Sequence, residues 1–188
     1  MSPSPEEPPR TNRGPAAGPG NRRALIDAAR RIFEEQGLNA PLSAVARRAG
    51  VGQGSLYRHF PDRVALATAA FEENVAELER LVQPPSATLE DLFDHVVEQA
   101  LPSTAFIELI GANRHDPDVL RLGERFRALV VSLLQSERRA GHVGAHVEVE
   151  DVLLSTGMLA TELARAEPED RERVAGRVRA LLRRALAP

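Results

Sequence analysis

Residues 42–63, LSAVARRAGVGQGSLYRHFPDR, decide how the rest of the chain is read. Val45, Ala46 and Ala49 share one face of a short helix, Gly50 suits the left-handed geometry of a helix end, and Val51 turns inward. A second helix follows at once. Its Leu56 and Phe60 lie four apart and so share a face, which leaves Gln53, Ser55, Tyr57, Arg58 and His59 on the other sides. A helix docked on one side and open on the other is built to enter a major groove.

Working outward, the spacing of Leu25, Ala29, Ile32 and Phe33 predicts a supporting helix over about Arg22 to Gln36, ended by Gly37. A further helix starts near Asp62 and carries Val64, Ala67, Phe71, Val75, Leu78 and Leu81 at intervals of three and four until Pro84 and Pro85. It reads as a connecting rod. Beyond it no strand pattern appears. Thr88 with Asp91 approximates a capping box for a helix of about 88–101, and Pro102 with Ser103 opens another to about residue 114. Asp116 and Pro117 start a long helix ending at Gly141, on the order of 36 Å at the standard rise. The stretch GHVGAHVEVE separates it from a helix of about 150–166, and Pro168 with Glu169 and Asp170 starts the last one. The expected fold is all-α, about nine helices, in three parts: a flexible tail at 1–20, a helix-turn-helix domain at 21–66, and a helical body at 67–188. The tail holds six prolines and three glycines, too little apolar surface to offset the entropy of ordering, although Arg10 and Arg13 could still graze DNA.

Charge is divided along the chain. Residues 1–63 hold ten arginines against six acids, whereas residues 64–188 hold fourteen against twenty-one, within a net charge of -3 over 188 residues. A basic head on an acidic body suits a protein that meets phosphate at one end. All twenty-four cations are Arg, much of which reflects genomic composition. With no cysteine, disulfides and thiol catalysis are excluded. No apolar run reaches the roughly 20 residues of a membrane helix and the first twenty residues lack a signal-peptide centre, so the cytoplasm is the expected location.

Two stripes in the last helices bear on assembly. Gly157, Ala160, Thr161 and Ala164 are small, and Val174, Val178, Leu181 and Leu182 are aliphatic between arginines. They are the expected interface of a two-fold dimer, since one recognition helix reads only a half-site. The alternative is that both stripes cover their own subunit.

The order of elements and the string VARRAGVGQGSLYRHFPDR resemble the TetR family of bacterial transcriptional regulators. The resemblance rests on Ala49, Gly50, Val51, Leu56, Tyr57, His59, Phe60 and Arg63 and covers about residues 22–71, the body agreeing only in helix order and length. It implies that Gln53, Gly54 and Ser55 approach base edges, that Tyr57, Arg58 and His59 contact bases or phosphates, and that Ser43 reaches the operator. It also implies that Arg63 stands where the family usually has a phosphate-binding lysine; the guanidinium keeps the charge and adds a fork of donors. Pro41 departs from the pattern, lacking the hydroxyl of the threonine usual there. Independently, Gln suits adenine, and Arg suits guanine or phosphate.

Other chemistries fit less well. Gly50, Gly52 and Gly54 follow a helix rather than a strand and lack the P-loop lysine, and neither a GxSxG elbow nor HExxH occurs. His142 and His146 would share a face only if Gly141 and Gly144 allowed a helix there, so no metal and no cofactor are expected. Glu98, Glu108 and Glu162 show no paired arrangement for an enzyme in the body, and a protein-binding adaptor would leave the basic head unexplained. The expectation is a non-enzymatic regulator: a homodimeric repressor on a palindrome of double-stranded DNA, released by an unknown small-molecule inducer. Candidates to line its cavity are Phe93, Val97, Phe106, Ile110, Leu122, Phe126 and Leu159, residues that would equally serve as plain core.

Overall fold

The computed structural model describes residues 18–84, 86–101 and 104–188. Residues 1–17, which include Arg10 and Arg13, lie outside them, as do Pro85, Pro102 and Ser103. The described residues form nine α-helices and no strand: α1 (Gly18–Gln36), α2 (Leu42–Arg48), α3 (Gln53–His59), α4 (Arg63–Leu81), α5 (Leu89–Ala100), α6 (Ala105–Ala112), α7 (Pro117–Ala140), α8 (Val149–Arg165) and α9 (Arg171–Leu186). Helix α1 begins at Gly18, inside the stretch expected as tail; Pro19 fits a first turn, where its missing N–H leaves no helical bond unmade.

The punctuation read from the sequence marks the helix ends. Asp62 caps α4 by accepting from Ala65 N at 2.8 Å, and Thr88 and Asp91 form a reciprocal capping box at α5. Asp116 accepts from Asp118 N and Val119 N ahead of Pro117, and α7 ends on Gly141 in the left-handed region at φ 73°. A second capping box, Glu148 with Asp151, opens α8 and has no Ser or Thr to announce it. Pro168–Asp170 form one 3₁₀ turn before α9.

Two apolar cores meet on α4. The first gathers Leu25, Phe33, Val45, Leu56 and Phe60 with Leu66 and Phe71 of α4. The second gathers Leu78 of the same helix with α5, α7, α8 and α9. The boundary expected at residue 66 therefore falls inside a continuous helix, and Leu109 of α6 and Val119 of α7 pack into the first core. Phe71 stands between Phe33 of α1 and Phe106 of α6, with ring centroids 6.3 and 5.3 Å away.

Polar ties join the same elements. Arg125 of α7 forks onto Glu79 of α4 with two 2.8 Å hydrogen bonds, which hold the Glu79 carboxyl below its ordinary range. Arg30 of α1 reaches Asn74 Oδ1 and Glu77 of α4, each at 3.5 Å. At the far end, Gly144 N donates to Leu186 O at 3.0 Å, and a Cβ at Gly144 would lie 2.8 Å from Ala187 O and closer still to the His146 ring. This approach explains the glycine between α7 and α8.

Candidate nucleic-acid interface and body cavity

The turn between α2 and α3 puts the recognition helix in place through three local features. Gly50 adopts φ 65°, a left-handed conformation available to glycine at little cost. Val51 N then donates back to Ala46 O at 2.9 Å, closing the end of α2. Leu56, fully buried, and Phe60, 3% exposed, fix α3 to the core beneath, while the Arg22 guanidinium lies 5.2 Å above the Phe60 ring.

The opposite face is open. Gln53, Gly54 and Arg58 are exposed, Ser55 and His59 are half-buried, and Tyr57 is 54% exposed, an unusual surface for a tyrosine unless its ring has something to meet. Ser43, in the first turn of α2, is exposed as well. Arg48 is turned away from this face, forked onto Glu35 of α1 at 2.6 and 2.8 Å, and that pairing lowers the Glu35 carboxyl.

Arg63 behaves differently from the position its sequence suggested. Its Nη1 turns inward and donates to the carbonyls of Leu38, at 2.7 Å, and Ala40, in the loop between α1 and α2. The first residue of α4 thereby holds the entry to α2. Sequence spacing could not show this, because Leu38 and Arg63 are far apart along the chain.

The body holds a cavity of about 360 Å³, open to solvent at one side, between α4, α5, α6, α7 and α8. Phe106, Ile110, Leu122 and Phe126, four of the candidates, line it. Three other candidates do not: Val97 and Leu159 are packed in the second core, and Phe93 faces a separate cavity of about 340 Å³ beside α9. Helical spacing gives a face but not which of two apolar neighbours that face meets. Gln99, which the sequence reading did not single out, also lines the main cavity.

The assembly stripes are also redistributed. Gly157, Ala160 and Thr161 line the main cavity, and Ala164 is half-buried. Leu182, 8% exposed, belongs to the core of its own subunit, with Val174 and Val178 packed partly against it; only Leu181 of that set is well exposed, at 58%. Leu154 and Met158, 64% and 54% exposed and one turn apart on α8, form the apolar surface that the sequence did not single out.

His142 and His146 are engaged separately: His142 Nδ1 lies 2.9 Å from Glu137 Oε1, and His146 Nε2 lies 3.1 Å from Ala185 O. The three acids weighed for catalysis each have a near neighbour, Glu98 with His95, Glu108 with Thr104 and Glu162 with Arg165.

Residues 25–70 match the family model described as bacterial regulatory proteins, tetR family. The HTH-type transcriptional regulator AcrR of Shigella flexneri is 33% identical over 89 residues, 43% of this chain and 41% of that protein. The A-factor receptor protein of Streptomyces griseus is 38% identical over 58 residues, 30% of this chain and 21% of that protein. The chain thus matches less than half the length of either relative. A crystal structure of a TetR transcriptional regulator from Streptomyces coelicolor is similar through nearly the whole length, with a TM-score of 0.62 and 27% identity over 89% of this chain and 98% of that one. Residues 25–70 thus match the N-terminal domain model of the tetR family of bacterial regulatory proteins, and the fold beyond them is similar to that of a TetR transcriptional regulator.

Proposed function

We propose that this chain is a sequence-specific DNA-binding transcriptional regulator, a homodimeric repressor on a palindromic operator that releases DNA when a small molecule enters the body cavity. The observation that carries the reading is the uncovered face of α3: Gln53, Tyr57 and Arg58 stand in solvent while Leu56 and Phe60 hold the helix from behind. Side chains able to read base edges and grip phosphate are thus presented by a rigid support. Ser43, Gly54, Ser55 and His59 complete the reading surface, and Arg63 positions it.

Release is a change of geometry. Two recognition helices must sit about 34–36 Å apart to enter successive major grooves. The cavity-lining Phe106 packs on Phe71 of α4, and Phe71 packs near Phe33 of α1, so a ligand that displaces Phe106 acts on the rod carrying the reading head. A ligand that weakens DNA binding is weakened by DNA in turn, by linkage. The exposed Leu154, Met158 and Leu181 supply the apolar centre of the two-fold contact. Among the described residues no helix is long and apolar enough to cross a membrane, which agrees with a cytoplasmic site of action.

The test is selection of genomic fragments by the purified full chain, followed by footprinting. One recurrent palindrome with half-sites about one helical turn apart is expected. Uniform binding that unlabelled competitor DNA abolishes would overturn the reading.

A further inference from the structure

Among the described residues that line it, the cavity presents three polar side chains, Gln99, Thr156 and Thr161, and no charged one. Each of the three has its hydrogens directed elsewhere. Gln99 Nε2 donates to the Asn74 carbonyl at 3.1 Å and to Glu77 Oε2 at 3.4 Å. Both partners are acceptors, so they fix which end of the amide is nitrogen and leave Oε1 as the end without a protein donor. Thr156 Oγ1 donates to Val152 O at 2.8 Å, and Thr161 Oγ1 donates to Gly157 O at 2.7 Å. A hydroxyl whose hydrogen is engaged offers a lone pair and nothing more. Each polar side chain among the described wall residues is therefore an acceptor, with Gln99 half-buried on α5 and Thr161 at the exposed rim.

We propose that the cavity takes an uncharged, mainly aliphatic molecule carrying a hydroxyl, whose O–H donates to Gln99 Oε1. This rests on the regulator reading and adds the chemical class of its ligand. A carboxylate would bring a charge among acceptors and beside Glu77, and a cation would find no carboxylate on the wall; either would lose its hydration without return. An ether, ester or ketone of the same size offers a second acceptor and leaves Gln99 Oε1 unpaired. A hydroxyl pairs it. Phe106 and Phe126 supply apolar surface for the rest of the molecule, and about 360 Å³ lies within the range of small-molecule sites.

Gln99 has a second consequence. The same amide is bonded to α4 through Asn74 and Glu77, and these two residues also accept from Arg30 of α1. A ligand bound to Gln99 thus sits one side chain from the polar tie between body and reading head.

The experiment is calorimetric titration and thermal shift of the full chain with 1-octanol, 1-methoxyoctane and octanoate. Saturable binding of 1-octanol is expected, roughly five- to tenfold tighter than 1-methoxyoctane, the amount one buried neutral hydrogen bond supplies. Gln99→Leu should bring that ratio close to one, since it removes the acceptor that the alcohol pairs and the ether leaves unpaired. If this variant does not fold, the wild-type ratio still decides. Equal binding of alcohol and ether, preference for octanoate, an unchanged ratio in folded Gln99→Leu, or no binding of any probe would each overturn the proposal. Fragment selection on the same preparation separates failure of the ligand class from failure of the regulator reading, since a recurrent palindrome survives the first and not the second.

Discussion

Arg63 Nη1 lies 2.7 Å from the carbonyl oxygen of Leu38, joining the first residue of the connecting helix to the loop that leads into the helix-turn-helix. In the mechanism proposed above, movement of α4 would reach the reading head through this bond as well as through the buried Phe71. A charged donor on two carbonyls is worth on the order of 1.5–3 kcal/mol when removed from a half-buried site. Arg63→Ala is expected to lower the unfolding temperature and weaken operator binding while leaving the slope of affinity against salt unchanged. A slope reduced by about one unit would instead mean that Arg63 contacts a phosphate directly.

The exposed pair Leu154 and Met158 predicts where the two-fold contact lies. Leu154→Glu with Met158→Glu should give monomers by light scattering at an unchanged unfolding temperature. Leu182→Glu should behave otherwise, since a charge at a position 8% exposed disrupts the subunit's own core. A dimer that survives the double substitution places the contact elsewhere.

The fork between Arg125 and Glu79 predicts a pH dependence with a definite sign. Hydrogen bonding from Arg125, then its charge, lowers the Glu79 carboxyl against desolvation that opposes it. A depressed folded-state value means that the stabilisation is complete above the ordinary carboxylate range and fades as acid protonates the folded carboxyl. The difference in unfolding temperature between wild type and Glu79→Gln should be constant from about pH 7 to 5 and shrink below about pH 4. Both groups are about one-third exposed, so solvent screens the pair and the difference is small. A difference that grows in acid would contradict the assignment.

Most of the fold was legible because its punctuation is local. Asp116–Pro117, Gly141 and the Thr88 and Asp91 box each act within one helical turn, so their effect is visible in consecutive residues. Leu56 and Phe60 likewise declare the buried side of α3 by spacing alone. What the sequence could not show depends on contacts between distant segments. Leu181 and Leu182 are adjacent and alike, yet one is exposed and the other packed, because the angle at which α9 meets the body decides between them. The role of Gln99 rests on Asn74 and Glu77 of another helix, which lie within reach of its nitrogen. Arg63 carried the charge expected of a phosphate contact, but the carbonyls of Leu38 and Ala40 lie within its reach inside the protein.

The central claim is that the open face of α3 reads duplex DNA, and the most direct measurement compares wild type with the triple substitution Gln53→Ala, Tyr57→Ala, Arg58→Ala on the selected operator. All three side chains are exposed, so unfolding temperature and dimer mass should not change. Loss of Gln53 alone is expected to cost roughly 1–3 kcal/mol and relax one base position, and the triple variant should retain only weak, sequence-independent binding. A folded triple variant that protects the same operator with wild-type affinity would contradict the account.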